Sequence, residues 1–222
     1  MIEPPERLPD RDRAIDAMLA HVPFDGWTKR ALRAGVMDAH MPADEADLLF
    51  PLGAVDMIET FSDLGDRRME AAAQDLPETR VSAKLRAVIA LRLEQNRPHK
   101  EATRRALAVL ALPRNARAAA SCTARTVDAM WHAAGDRSAD FSWYTKRGIL
   151  TAVYGATVLF WLRDVSEGDA DTLAFLDRRL AGVGRIGELR RRARRVATQL
   201  PLPGVPPPYA RGTVCENASG TE

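Results

Sequence analysis

Three groups of residues in this 222-residue chain have types and spacings that suit chemistry. Gly182-Val-Gly-Arg-Ile-Gly187 satisfies the glycine spacing of a dinucleotide-phosphate loop. Asp128 and His132 stand four apart, which on a helix sets a carboxylate and an imidazole on one face. Asp140-Phe-Ser-Trp-Tyr-Thr-Lys-Arg147 places two large aromatics and two cations at the mouth of the apolar run Gly148 to Leu162.

The first two lose their chemistry in context. A dinucleotide loop needs a strand before it, a helix after it and an acid about 20 residues on. Here Leu173, Leu176, Leu180 and Val183 precede it with helical spacing, and Arg-rich then Pro-rich sequence follows. The glycines are expected to loosen a helix, each costing up to about 1 kcal/mol relative to Ala. For metals, the residues three before the four histidines are Met18, Met37, Asn96 and Ala129, so no Glu-x-x-His pair exists for a di-iron site. Asp128 with His132 supplies too few ligands, and a capping or surface hydrogen bond is the expected role. No nucleophile elbow or P-loop occurs, and neither Cys122 nor Cys215 has a base near it in sequence. No metal, no cofactor and no catalytic residue is expected: the chain reads as a binder. The third group fits that role, since amphipathic rings beside cations suit a partner surface, a headgroup layer or a ligand entrance.

These residues need helices to position them. Ile15, Met18, Leu19 and Val22 form one buried stripe, and Val127, Met130, Trp131 and Ala134 form another. Further helices are expected over Ala54 to Ala73, Val81 to Gln95, Lys100 to Leu112, Ser142 to Arg163 and Thr172 to about Arg195, punctuated by Pro77, Pro98, Pro113 and Gly135. The class is all-α. The run Gly148 to Leu162 is 15 residues, short of the roughly 20 that cross a bilayer, and reads as a buried helix. With 46% hydrophobic residues the chain can build a sizeable core, and its net charge of +2 creates no global pull on nucleic acid. From Pro201 the composition turns Pro-rich and then small and polar, and residues 201–222 are expected to be a disordered tail. The Asn217-Ala-Ser219 sequon has no secretory context.

The first sixty residues have the layout of a helix-turn-helix, with short helices, one ending near Ala34-Gly35, leading into a longer one. From Ala34 to Asp66, however, there is no Lys or Arg, while Asp38, Asp44, Glu45, Asp47, Asp56, Glu59, Asp63 and Asp66 are all acidic. Affinity for DNA depends largely on neutralising phosphates, so this surface opposes binding. The motif is evidence of architecture, and the competing role, a ligand-responsive TetR-type regulator, would need cations that this stretch lacks.

Eight blocks carry a family resemblance. His21-Val-Pro-Phe-Asp-Gly-Trp27, Leu49-Phe-Pro51, Lys100-Glu-Ala-Thr-Arg-Arg-Ala-Leu107, Arg125-Thr-Val-Asp-Ala-Met-Trp131, Ala134-Gly-Asp136, Asp140-Phe-Ser-Trp-Tyr-Thr-Lys-Arg147, Ala152-Val-Tyr154 and Phe175-Leu-Asp-Arg-Arg179 resemble the ubiquinone-biosynthesis accessory family called Coq nine, over about Asp12 to Arg179. The resemblance implies a TetR-like helical bundle with a degenerate helix-turn-helix, without DNA binding. It also implies a non-enzymatic protein that binds an isoprenoid quinone intermediate or other lipid and assists the di-iron demethoxy-ubiquinone hydroxylase. Trp143 and Tyr144 then occupy the hydroxylase-contact patch, with Asp140, Lys146 and Arg147 beside them. A homodimer is expected by analogy with TetR-like folds.

The division that follows is a flexible start over 1–11, a helix-turn-helix-like subdomain over 12–53, a lipid-binding helical domain over 54–200 and the tail. The apolar helix 148–162 must be covered on every side, by core or by ligand, and it offers Leu150, Val153, Tyr154, Thr157 and Val158 as pocket wall. Val88, Ile89, Leu107, Leu110, Cys122 and Met130 are the opposing candidates. Arg185, Arg190, Arg191, Arg192, Arg194 and Arg195, with a thin apolar stripe, suit an anionic membrane surface, each Arg contributing about 1 kcal/mol. The first residues lack a secretory or organellar leader pattern, so the expected place is a bacterial cytoplasm, peripheral to the inner membrane.

Overall fold

The computed structural model describes residues 3–42, 45–78, 80–136 and 142–182, and among them there are helices and short 3₁₀ turns but no strand. The helices are α1 (Pro9–Met18), α2 (Val22–Asp25), α3 (Lys29–Asp38), α4 (Glu45–Leu49), α5 (Ala54–Ala72), α6 (Val81–Asn96), α7 (Lys100–Leu110), α8 (Ala116–Ala133) and α9 (Ser142–Trp161). A further helix, α10, covers residues 170–182. Pro98 and Pro113 open the short turns that separate α6, α7 and α8, as residues without a backbone donor should. Among the described residues, no helix is long and apolar enough to cross a membrane.

The N-terminal helices are set by one close crossing. α1 packs along α3, and an ideal Cβ on Gly35 would lie only 2.5 Å from the N and Cα of Met18. This close approach requires glycine. It also corrects the expected end of that helix near Ala34-Gly35: α3 runs through Gly35 to Asp38 because the glycine is a contact, not a cap. Thr28 begins α3 as its N-cap, accepting from Ala31 N at 3.3 Å. Just before it, Gly26 turns the chain with φ +71° and Trp27 is buried, donating from Nε1 to Ala102 O of α7 at 3.0 Å.

Two apolar clusters result, and α5 belongs to both. Ile15, Met18, Val22, Leu32, Val36 and Phe50 pack with Met57, Ile58, Phe61 and Leu64 of α5 in the first. Met69 of α5 joins Val88, Ile89, Val127, Met130, Leu150, Val153, Trp161 and Leu176 in the second. The turn at Gly53, where the sequence suggested a subdomain limit, has φ +74° and leads straight into α5. Residues Met1–Val183 form one compact unit; the other, Gly184–Glu222, lies outside the described residues, and with it the Arg185 to Arg195 segment and the tail.

Around the upper half of α5 runs a buried charge network. Arg11, 4% exposed, pairs with Asp56 and donates to Thr60 Oγ1 at 3.0 Å and Leu49 O at 2.8 Å. One turn on, Asp63 takes Arg7 at 2.7 Å and Arg67 at 3.0 Å. Burying charge is tolerated only with partners of this kind.

Candidate functional site

Between α5, α6, α7, α8 and α9 lies a cavity of about 300 Å³. Its apolar lining is Ile58, Phe61, Ala106, Leu107, Leu110, Cys122, Val158 and Leu159. Gly155 of α9 adds a stretch of wall with no side chain. The polar lining is Ser62, Arg92, Asn96, Thr103, Thr123, Thr126 and Tyr154. Ile58, Phe61, Ala106, Cys122 and Val158 are buried together with Arg92, Asn96 and Thr126, whereas Leu159 is 63% exposed.

One ion pair flanks the cavity through Arg92. Arg92 Nε donates to Asp66 Oδ1 at 3.2 Å, Thr126 Oγ1 donates to Asp66 Oδ2 at 2.8 Å, and Arg92 Nη2 donates to Ser62 O at 3.3 Å. Burial pushes the Asp66 carboxyl up to about 6, against the pull of Arg92 and Thr126. Arg92 Nη1 is buried without a hydrogen-bond partner. Asp66 also borders a second, polar recess of about 340 Å³, lined among others by Arg7, Arg67, Glu70, Arg125 and His132. The pair Asp66 and Arg92 therefore partitions a charged recess from an apolar cavity. Cys122, on the apolar wall, has its thiol pushed up to about 11 by burial.

Of the residues proposed from sequence for a lipid pocket, Leu107, Leu110, Cys122, Tyr154 and Val158 line the cavity. The other six do not. Val88, Ile89, Met130, Leu150 and Val153 fill the second core, and Thr157, fully buried, donates to Val153 O at 2.7 Å. The reason is the rotation of α9, whose Leu150, Val153, Thr157 and Trp161 face inward while Tyr154, Gly155, Val158 and Leu159 face the cavity. Ile58, Phe61 and Ser62 of α5 and Arg92 of α6 also line the cavity and were not among the sequence candidates; Arg92 carried a signal, being a lone Arg amid the apolar run Val88 to Leu93.

The aromatic and cationic block lies at the start of α9. Tyr144 is 74% exposed. Lys146 pairs with Asp136 at 3.3 Å and lies 5.7 Å above the Trp131 ring, and Arg147 Nε donates to Asp128 at 2.7 Å. These cations thus tie α9 to α8 and its following turn. The surface hydrogen bond expected for Asp128 is made with Arg147. Asp140 and the Trp143 side chain lie outside the described residues. The exposed stripe Gly148, Ala152 and Leu159 of α9 carries no charge.

In the helix-turn-helix region α4 is five residues long. Its Asp47 takes Lys29 at 2.9 Å and Arg33 at 2.8 Å, so two α3 cations are held by an acid of the would-be recognition helix.

A family model described as COQ9 matches residues 116–187. The ubiquinone biosynthesis protein coq9, mitochondrial, of Schizosaccharomyces pombe is 32% identical over 180 residues, covering 79% of this chain and 70% of that protein. Ubiquinone biosynthesis protein COQ9-B, mitochondrial, of Xenopus laevis is 33% identical over 77% of this chain, and the human COQ9 protein is 33% identical over 76%. The chain spans 61% and 55% of the lengths of those two. A solved TetR transcriptional regulator from Nitrosomonas europaea superposes with a TM-score of 0.61 at 24% identity, over 78% of this chain and 97% of that one, which shows a TetR-like fold. The expected placement in a bacterial cytoplasm, at the inner membrane, is overturned: these COQ9 relatives are eukaryotic and named mitochondrial.

Proposed function

The chain belongs to the COQ9 family of ubiquinone biosynthesis proteins, and from that premise we propose that it serves as a non-enzymatic accessory that holds an isoprenoid lipid or quinone intermediate in the cavity beneath α9. The observation that carries this reading is the cavity itself, lined by Ile58, Phe61, Leu107, Leu110, Cys122 and Val158, with exposed Leu159 beside it and a wall made of Gly155. Each CH₂ group moved from water into such a space is favoured by roughly 0.8 kcal/mol. A polyprenyl compound is otherwise nearly insoluble.

In the same reading, Tyr144, with Trp143 before it, docks the di-iron hydroxylase, Lys146 and Arg147 hold that end of α9 in place on α8, and the Arg185 to Arg195 segment attracts an anionic membrane surface. A second copy completes a homodimer. The test is organic extraction and mass spectrometry of purified protein, wild type beside Gly155→Trp, which fills the cavity. Lipid recovered from the wild type and lost from the variant supports the reading. Lipid-free wild-type protein from several preparations overturns it. A pull-down with the hydroxylase tests docking separately: a folded Trp143→Ala, Tyr144→Ala double variant that binds as well as wild type removes that assignment.

A further inference from the structure

We infer that the polar recess between α5 and α8 is a docking groove for an extended, arginine-bearing segment of a partner protein, and that residues 3–8 of this chain occupy it in cis as a displaceable strap. This surface lies apart from the apolar cavity, whatever that cavity holds.

The strap meets the recess through the contacts of a bound peptide. Residues 3–8 are non-helical, and the prolines at 4 and 5 favour an extended backbone there. Pro4 and Arg7 line the recess of about 340 Å³. Arg125 Nη1 donates to the Glu3 carbonyl at 3.2 Å, and Arg7 donates to both oxygens of Asp63, from Nε at 3.0 Å and from Nη2 at 2.7 Å. Such a bidentate pair selects a guanidinium over an ammonium. A backbone carbonyl and an arginine, four residues apart, are the features that the groove reads.

No anchor depends on the strap. Asp63, with its side chain 5% exposed, also accepts from Arg67 Nε at 3.0 Å, and Arg125 also donates to Glu59 at 3.2 Å. Arg11, 3.7 Å from Glu6 of the strap, has Asp56 as well. Release of the strap therefore orphans no buried charge, and the penalty for breaking a buried pair does not arise. The Arg7 side chain is 50% exposed and Leu8 is 43% exposed, so the strap is held mainly by solvated ion pairing, which is weak and yields to salt.

The recess is continuous with the start of α9. Its lining includes Asp128, Asp136 and Arg147, which join α8 and its following turn to α9, and the 74% exposed Tyr144 precedes Arg147 by three residues. A partner seated on that ring has the groove beside it. This continuity rests on the docking reading above, whereas the strap contacts do not; the test below contains no hydroxylase, so its failure and that of the docking pull-down are separate results.

The ¹⁵N-labelled full chain is titrated with a capped synthetic peptide of residues 3–8, read by the Nε–Hε signals of Arg67 and Arg125. A tethered strap competes at high effective concentration, so Arg7→Ala should bind the peptide at least about fivefold more tightly than wild type. On Arg7→Ala, a peptide with glutamine in place of its arginine should bind at least about fivefold more weakly, and so should N-acetylarginine amide, which lacks the rest of the segment. A Pro4→Gly, Pro5→Gly double variant keeps Arg7 but loosens the strap; it should move in the same direction as Arg7→Ala and keeps the test decisive if that variant fails to fold. Equal peptide binding by wild type and variants overturns the strap. Equal binding of the glutamine peptide overturns the arginine, and equal binding of N-acetylarginine amide reduces the groove to a guanidinium pocket and overturns the segment. No saturation of the variants by about 10 mM peptide overturns the groove itself. Shifts of the same signals when unlabelled wild type is added to labelled Arg7→Ala make a second copy the occupant and overturn the partner.

Discussion

Arg92 of α6 covers Gly65 of α5 so closely that an ideal Cβ on the glycine would stand 2.5 Å from Nη2 and 2.6 Å from Cζ. The absence of one side chain on α5 is what lets a guanidinium lie between the helices and reach Asp66. A long polar side chain inside a bundle needs such a gap.

Gly65→Ala should therefore be costly although alanine favours helices. Displacing Arg92 from Asp66 and Ser62 adds overpacking to a broken buried pair, for a loss of about 1–3 kcal/mol or more. Urea denaturation would read this as a lower midpoint with an unchanged slope. A midpoint equal to wild type would show that Arg92 relocates freely.

Two other glycines make an internal comparison. At Gly35 the added methyl meets the Met18 backbone, which cannot swing aside, whereas at Gly148 nothing lies within 4 Å. Gly35→Ala should lose about 1–3 kcal/mol, while Gly148→Ala should gain up to about 1 kcal/mol from helix propensity. Thermal melts of the two variants moving in the same direction would contradict this account of the α1–α3 crossing.

Asp66 makes stability depend on pH in the direction opposite to an ordinary surface carboxylate. Its folded value, about 6, lies above the usual 3.8, so the native state binds the extra proton between those values. Its contribution is most favourable below about pH 4 and is lost as pH rises through 6. The shift corresponds to about 3 kcal/mol across that window. Subtracting the pH profile of Asp66→Asn from that of wild type should expose a decline of this order from pH 4 to 7; a flat difference would refute it.

Cys122 should resist alkylation. Raising a thiol from 9.0 to about 11 lowers its thiolate fraction at pH 8 about a hundredfold, before access through the cavity is considered. In a Cys215→Ser background, iodoacetamide should label the native protein at least that much more slowly than the urea-unfolded chain. Equal rates would mean that the cavity wall at Cys122 opens freely.

Much of this protein is legible one residue at a time. Ile15 and Met18 mark the buried face of α1, although the stripe continues to Val22 across a break into α2, the prolines at 98 and 113 divide the following helices, and the stretch from Ala34 to Asp66 is acid-rich wherever it folds. Helical period and composition are local, so they survive without the fold. The Trp-Tyr block and its neighbours likewise identify a family from residue order alone.

Which residues face the cavity is a different kind of fact. Along α9 nearly every residue is apolar, and periodicity cannot say which arc meets the core and which a void; the packing of α5, α6 and α8 turned Leu150, Val153 and Thr157 inward and left Tyr154 and Val158 on the cavity wall. The Asp66 and Arg92 pair was hidden for the same reason. Asp66 and Arg92 are 26 residues apart, and their pairing depends on a helix crossing made possible at Gly65. Sequence alone determined that the chain is helical, acid-rich between Ala34 and Asp66 and built around a very apolar helix. Only the tertiary structure decided where that helix leaves a space and what lies at the bottom of it, because a cavity is what remains after every local preference has been packed against all the others.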